Sequence, residues 1–321
     1  MTTFKITLAY DGTDYIGWQR QASGTSIQGL LEDALGALDE RDVAAAGAGR
    51  TDAGVHALGQ VASFTLARAL PCDTIVRALN ARLPDAVRVL SAEEARASFH
   101  ARFNARTKTY QYRIWNGDVM PPFERRYAWH LTGALDVAAM CRAARLIEGG
   151  HDFSAFQSAG SDVATTVRTI SVSRIADCGV RSDCGSWIDD SMSTDESVRA
   201  PIRSHNPQSA IRNPQSQSAI RNPQSALLIY EIAGDGFLRH MVRAIVGTLV
   251  EIGRGRRPVE WMTAVLASRD RAAAGQTAPA LGLFLARVGY DDTPRAERED
   301  TKKKPEVHEV FPLVRDSSCS S

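Results

Sequence analysis

The densest chemistry in this 321-residue chain lies in nine residues, Ala48-Gly49-Arg50-Thr51-Asp52-Ala53-Gly54-Val55-His56. The two glycines let the backbone turn tightly or approach a ligand closely. A guanidinium beside a carboxylate favours the charged form of the acid. An ionised Asp52 next to Arg50 is therefore a candidate nucleophile. The same composition also fits a plain turn in which Asp52 caps the next segment and Arg50 is solvated. It does not fit a metal centre, because one His and one Asp four residues apart lack the third protein ligand that catalysis by zinc requires.

A loop of this kind must be held by regular elements, and the flanking sequence supplies them. Phe4, Ile6, Leu8 and Tyr10 alternate with Lys5, Thr7 and Ala9, the period of a half-buried strand. Thr25-Ser26-Ile27-Gln28 fits a capping box. It opens a helix with Ile27, Leu30, Leu31, Ala34, Leu35 and Leu38 on one face. A second helix is expected over 73–82, stopped by Pro84, and a strand over 86–90. After Phe103 the pattern restarts: Lys108, Tyr110, Tyr112 and Ile114 alternate with Thr109, Gln111 and Arg113. Asp136 caps a helix that carries Val137, Met140, Cys141, Ala144 and Ile147 and ends at Gly149. Strands at 167–175 and 227–232 have no helix between them, which predicts antiparallel pairing. Residues 237–252 read as a strongly amphipathic helix, with Arg239 and Arg243 four apart on one face. Pro258 opens a further helix, and Leu281, Leu283 and Leu285 alternate in a last strand. The fold class is α+β with two similar halves, 1–104 and 105–290.

Composition bounds the function. Hydrophobic residues make up 44% and charged residues 23%, which excludes a wholly disordered or collagen-like chain. No apolar run reaches the length of a bilayer-spanning helix, so no membrane partner is expected. The start, MTTFKITLAY, shows no secretory pattern. Five scattered cysteines without a C-x-x-C argue against a disulfide framework and for a reducing cytoplasm. Residues 177–226 differ from the rest. Asn-Pro-Gln-Ser starts at Asn206, Asn213 and Asn222, and Ser-Ala-Ile-Arg at Ser209 and Ser218. This Ser-, Gln- and Pro-rich segment has too little apolar surface to offset its ordering entropy. It is read as a low-complexity loop insertion, and 291–321 as a flexible tail. The net charge is +1; with 177–226 (5 basic, 6 acidic) and 291–321 (6 basic, 8 acidic) set aside, the remaining 240 residues carry +4.

The motifs, taken in order, resemble the tRNA pseudouridine synthase A family. They are Tyr10-Asp11-Gly12, Gly17-Trp18-Gln19-Arg20-Gln21, the run GRTDAGVHALGQVASF from Gly49, Asn80-Ala81-Arg82-Leu83-Pro84 and Phe99-His100-Ala101-Arg102-Phe103. Lys108-Thr109-Tyr110-Gln111-Tyr112, Arg239-His240-Met241-Val242-Arg243 with Ile245-Val246-Gly247, and Gly282-Leu283 complete the set. The resemblance implies one extended, mainly antiparallel central sheet flanked by helices, the pseudouridine synthase fold. It implies an isomerase that makes pseudouridine at nucleotides 38, 39 and 40 of the tRNA anticodon stem-loop. It implies no cofactor and no metal, with tRNA as partner and a homodimer as the assembly. Carried over residue by residue, Asp52 matches the catalytic aspartate. Tyr110 matches the tyrosine that packs on the target uracil, and Arg243 the basic partner of the aspartate. Leu283 matches an apolar pocket residue, and Arg50 an arginine that handles the RNA.

The chemistry fits these roles. Conversion of uridine to pseudouridine breaks N1–C1′ and forms C5–C1′ with no net change of atoms. A carboxylate either attacks C1′ or removes the C2′ proton to give a glycal. The base must leave the helical stack, and an aromatic platform stabilises an unstacked base by about 1–3 kcal/mol. Arg239 and the nearby Arg254, Arg256 and Arg257 suit phosphates. Arg20, Arg102 and Lys108 are further candidates for the RNA backbone, or simply surface. His56 and His100 either contact RNA or pack locally; His56 is carried as a substrate-binding candidate. Trp18, Trp129 and Trp261 read as core. The family's corresponding hairpin is short, so 177–226 extends it, at little extra closure entropy. Two rivals remain: a catalytically silent tRNA-binding protein on the same scaffold, and a carboxylate-dependent glycosidic hydrolase, which normally needs a pair of acids.

Overall fold

Alternation of apolar and polar side chains drives the first strand, β1 (Thr2–Tyr10), in which Phe4, Ile6, Leu8 and Tyr10 are all buried. The computed structural model describes residues 1–158, 160, 163–177 and 226–290. The repeat-bearing insertion and the tail therefore lie outside the described residues, apart from the borders of the insertion. After β1 come α1 (Ile27–Asp39), β2 (Ala46–Gly47), β3 (His56–Leu66), α2 (Cys72–Asn80) and β4 (Val87–Ala95). Then follow β5 (Ala105–Asn116), β6 (Trp129–Leu131), α3 (Val137–Arg145), β7 (Gly149–Asp152) and β8 (Val167–Asp177). The described part closes with β9 (Leu227–Gly234), α4 (Met241–Gly253), α5 (Trp261–Ser268) and β10 (Leu283–Tyr290).

The strands form one sheet in the order β4-β1-β3-β10-β5-β9-β8-β7, with β2 beside β3 and β6 beside β5. Pairing is antiparallel except at β10–β3 and β5–β6. The fold is thus α+β around one large, mainly antiparallel sheet. The β10–β3 join is brief, Phe284 opposite His56 and Leu285 opposite Ala57. It nonetheless makes the sheet continuous from the N-terminal strands to β5. β8 and β9 pair antiparallel up to Asp177 opposite Leu228, so the sheet is intact to the border of the insertion. One core of buried residues runs through the whole of Met1–Tyr290, from Phe4, Ile6 and Leu31 to Tyr112, Tyr230 and Ile245.

Several element boundaries differ from the sequence reading, each for a local reason. The cap of α1 is Ser26, whose Oγ accepts from the Gly29 N–H at 3.1 Å; the expected capping box is not formed. Gln28 instead ties α1 to its surroundings, accepting from Gln19 Nε2 and donating to the Ala45 carbonyl. β4 runs on to Ala95 because it pairs with β1 along its length. α3 ends at Arg145, and Gly149, at φ +97°, opens β7. α4 starts at Met241, not at 237, and eleven of its thirteen residues are buried. It is encased by α3, by the turn Ser154–Phe156 and by the 275–278 segment. The apolar periodicity of 237–252 therefore continues through a turn that is not helical.

Candidate active site

The loop 48–55 links β2 to β3 and is held from beneath by the earlier sequence motifs. The Trp18 N–H donates to the Thr51 carbonyl at 3.1 Å, and the Gly54 N–H to the Tyr15 carbonyl at 3.3 Å. The Tyr10 hydroxyl lies 2.8 Å from Thr51 Oγ1, and Gln60 Nε2 donates to the Gly49 carbonyl at 2.8 Å. Two glycines permit this close stacking of chain on chain. A Cβ at Gly12 would stand 2.0 Å from the Val55 oxygen; one at Gly17, which has φ +102°, would stand 2.3 Å from the Thr51 oxygen. Both approaches are closed to any other residue.

Asp52 emerges from this loop into a cleft of about 1120 Å³. Its side chain is one-third exposed (34%), and its Oδ2 faces two basic groups. His240 Nε2 is the nearer, at 3.4 Å; Arg243 Nη1 is at 3.9 Å. Arg243 is anchored at both ends of its reach, since Nε donates to the Ala278 carbonyl at 2.6 Å and the Ala278 N–H donates back to the Arg243 carbonyl. Burial lowers the Arg243 pKa, while Asp52 and Tyr112 oppose that. His240 Nδ1 lies 2.8 Å from Ser158 Oγ. Burial pushes the His240 pKa down, Asp52 opposes this, and Arg243, Arg239 and Arg271 reinforce it. Its backbone is left-handed, φ 60° and ψ 4°. For a residue with a Cβ that conformation costs about 1–2 kcal/mol.

Tyr110 and Leu283 line the same cleft. They sit on adjacent antiparallel strands, β5 and β10, so the sheet brings them beside the loop. Tyr110 is 7% exposed and meets Phe237 edge-on, ring centroids 5.0 Å apart. Burial raises its phenol pKa far above the usual value, helped by Tyr10 and Asp52, so the hydroxyl holds its proton. Arg50, Arg102, Lys108 and Arg239 all line the cleft, as do His100 and an exposed Phe103. Burial lowers the Lys108 pKa, and the nearby Arg102 adds to the effect. Asp52 is the one carboxylate among the described residues that line this cleft.

A family model described as tRNA pseudouridine synthase matches residues 6–104 and 143–291. The chain belongs to the tRNA pseudouridine synthase family. Its relatives include the tRNA pseudouridine synthase A of Moorella thermoacetica, 41% identical over 292 residues that span 90% of this chain and all of that protein. The Solibacter usitatus protein of the same name is 41% identical over 293 residues, with the same coverage of both chains. That of Myxococcus xanthus is 40% identical over 296 residues, covering 92% of this chain and 95% of the relative.

In this pseudouridine synthase scaffold Asp52, Tyr110, Arg243, Leu283, Arg50 and Arg239 converge on one place, but not every expected residue joins them. His56 does not reach the cleft. It is 1% exposed, its Nδ1 accepts from the Gly12 N–H at 3.1 Å, its Nε2 lies 3.1 Å from the Leu281 carbonyl, and its ring stacks on Phe284. As folded, it packs beneath the loop and is not among the residues that line the cleft. Arg239 and Arg243 are not on one helical face, because Arg239 precedes α4. Arg254 and Arg256 pair with Glu251 at the far end of α4, about 20 Å from its start at 1.5 Å per residue. Arg257 lies over Trp261, and Arg20 is held by Glu32 and Asp33. Trp18 is core as expected, 2% exposed. Sequence reasoning passed over His240 and Ser158. His240 lies within the Arg239-His240-Met241-Val242-Arg243 motif, between two arginines whose charge is the stronger local signal.

Proposed function

We propose that this protein is a tRNA pseudouridine synthase that isomerises uridine at nucleotides 38, 39 and 40 of the anticodon stem-loop, with Asp52 as the catalytic carboxylate. The carrying observation is Asp52, the one carboxylate among the described residues that line the cleft, set between His240 and Arg243, with cations as the other charged lining side chains among those residues. Cations lining the cleft (Arg50, Arg102, Lys108, Arg239) suit phosphates, and the buried Tyr110 beside Leu283 suits the face of an unstacked uracil.

Asp52 acts on the ribose, either at C1′ or at the C2′ proton. N1–C1′ breaks, the uracil turns within the pocket, C5–C1′ forms, the C5 proton leaves and N1 gains one. The raised pKa of Tyr110 suits it to packing on the base with its proton in place, not to acting as a phenolate. A glycosidic hydrolase would use two acids flanking the bond, and the described cleft offers one. The partner is tRNA, the assembly a homodimer and the compartment the cytoplasm.

The test is tritium release from tRNA labelled at uridine C5. Wild type should release tritium without liberating free uracil. Asp52→Asn should abolish release while tRNA binding persists. Full turnover by that variant overturns the assignment of Asp52, and free uracil as product overturns the isomerase reading in favour of hydrolysis.

A further inference from the structure

Among the described residues three without a glycine's freedom have left-handed backbone: Glu40, Arg269 and His240. Glu40 and Arg269 are the C-caps of α1 and α5, where that conformation ends a helix. His240 has no such excuse. It sits at the N-terminus of α4, and its side chain makes no capping hydrogen bond there. The conformation directs its ring elsewhere: Nδ1 to Ser158 Oγ at 2.8 Å and Nε2 to Asp52 Oδ2 at 3.4 Å. Ser158 is itself fixed, because its N–H donates to the Arg239 carbonyl. Strained backbone that persists at a site marks a position the surroundings over-determine.

We propose that His240 is a positioning residue for the synthase reaction: with Ser158 donating to Nδ1, the imidazole carries its proton on Nε2 and holds Asp52 by Oδ2. Oδ1, the oxygen that does not face His240 and Arg243, is left for the ribose. Arg243 cannot replace this contact, since its Nε is committed to Ala278 and its Nη1 is farther away. The proton on Nε2 is not transferred; it sets the carboxylate's orientation. The inference rests on the proposed pseudouridine synthase activity for its kinetic readout only.

Two substitutions rank oppositely under the two explanations of His240. Asparagine tolerates left-handed backbone better than glutamine. Asparagine, however, places its amide where Nδ1 was, reaching Ser158 and not Asp52, whereas the glutamine amide reaches the place of Nε2. If the residue serves only the backbone turn, His240→Asn should be the more active variant. If it positions Asp52, His240→Gln should keep most of kcat, His240→Asn should lose about 100-fold, and KM for tRNA should stay near wild type in both. His240→Asn matching or exceeding His240→Gln in kcat overturns the proposal.

A second measurement needs no turnover. Long-range proton–nitrogen correlation spectra of the free protein at pH 7.5 should show the Nε2–H tautomer for His240. Its Nε2 resonance should shift in Asp52→Asn, and Ser158→Ala should weaken the preference. An Nδ1–H tautomer overturns the proposal. If wild type releases no tritium from tRNA, the functional reading fails, and the spectra still decide whether His240 holds Asp52.

Discussion

Among the described residues are two Asp–His pairs of similar separation, and they are built differently. Asp52 and His240 are 3.4 Å apart; Asp11 and His56 are 3.1 Å apart. Asp11 is saturated. Its Oδ1 accepts from the Thr13 N–H and hydroxyl, and its Oδ2 accepts from the Tyr127 hydroxyl at 2.8 Å. His56 is likewise spent on Gly12 and Leu281 and lies 1% exposed. Asp52 instead stands in an open cleft with one oxygen facing two basic groups, and its histidine is held in a strained turn. A pair whose oxygens and ring nitrogens are all engaged in hydrogen bonds rigidifies the fold. A pair with an oxygen left over beside a cavity can do chemistry. Residue types and spacing are alike in the two pairs; unused valence distinguishes them.

The sharpest way to break this contrast is to neutralise the open pair. Asp52→Asn should lower kcat by about 10⁴-fold or more and change unfolding stability by about 1 kcal/mol or less, read by tritium release and by urea denaturation. A large loss of stability would place Asp52 with the structural pair.

The next largest effect belongs to the closed pair. His56→Ala leaves the Gly12 N–H without its acceptor and opens a hole beside Phe284. It should cost about 3 kcal/mol in urea denaturation, with kcat of the folded fraction near wild type. A variant of unchanged stability and lost activity would move His56 back into the site.

Acid should expose the same pair. Burial lowers the His56 pKa, and Asp11 opposes this only in part. The unfolded chain therefore takes up the proton more readily, near pH 6.5. Stability is full above that value and falls as pH drops below it towards the folded pKa. The Asp11 carboxyl, lowered in the folded state, keeps its contribution until much lower pH, where it is lost as pH falls through its folded pKa. The melting temperature should fall between pH 7.5 and 5.5, and less steeply in His56→Asn. An equal slope in the two proteins would show that His56 does not titrate with folding.

The smallest effect is Tyr127→Phe, which removes one hydrogen bond to Asp11. It should cost about 1 kcal/mol with no change in kcat or in KM for tRNA. A change in KM would mean that the closed pair communicates with the cleft.

Much of the fold was legible because its signals are local. The alternation in β1 and the apolar face of α1 each follow from a period that a buried face imposes on its own segment. The nine-residue loop was legible because its glycines, Arg50 and Asp52 are neighbours in sequence. Boundaries were less so. The apolar period at 237–252 ran through a left-handed turn, since burial sets the pattern of side chains and not the backbone state beneath them. His56 looked like a site residue because it follows the Arg50–Asp52 candidates in sequence; one residue beyond the loop it enters β3 and is buried.

By itself, the sequence determined the helices, six of the ten described strands (not β2, β3, β6 or β7), the chemistry available in the Asp52 loop and the family to which the motifs point, because each of these is written in neighbouring residues. Only the tertiary structure decided which basic group stands nearest Asp52, which arginines face the cleft and which histidine is walled in. Those outcomes depend on β10 joining β3 to β5 and on the turn before α4, which bring together residues far apart along the chain. Such contacts form only when the whole sheet assembles, and no local period records them.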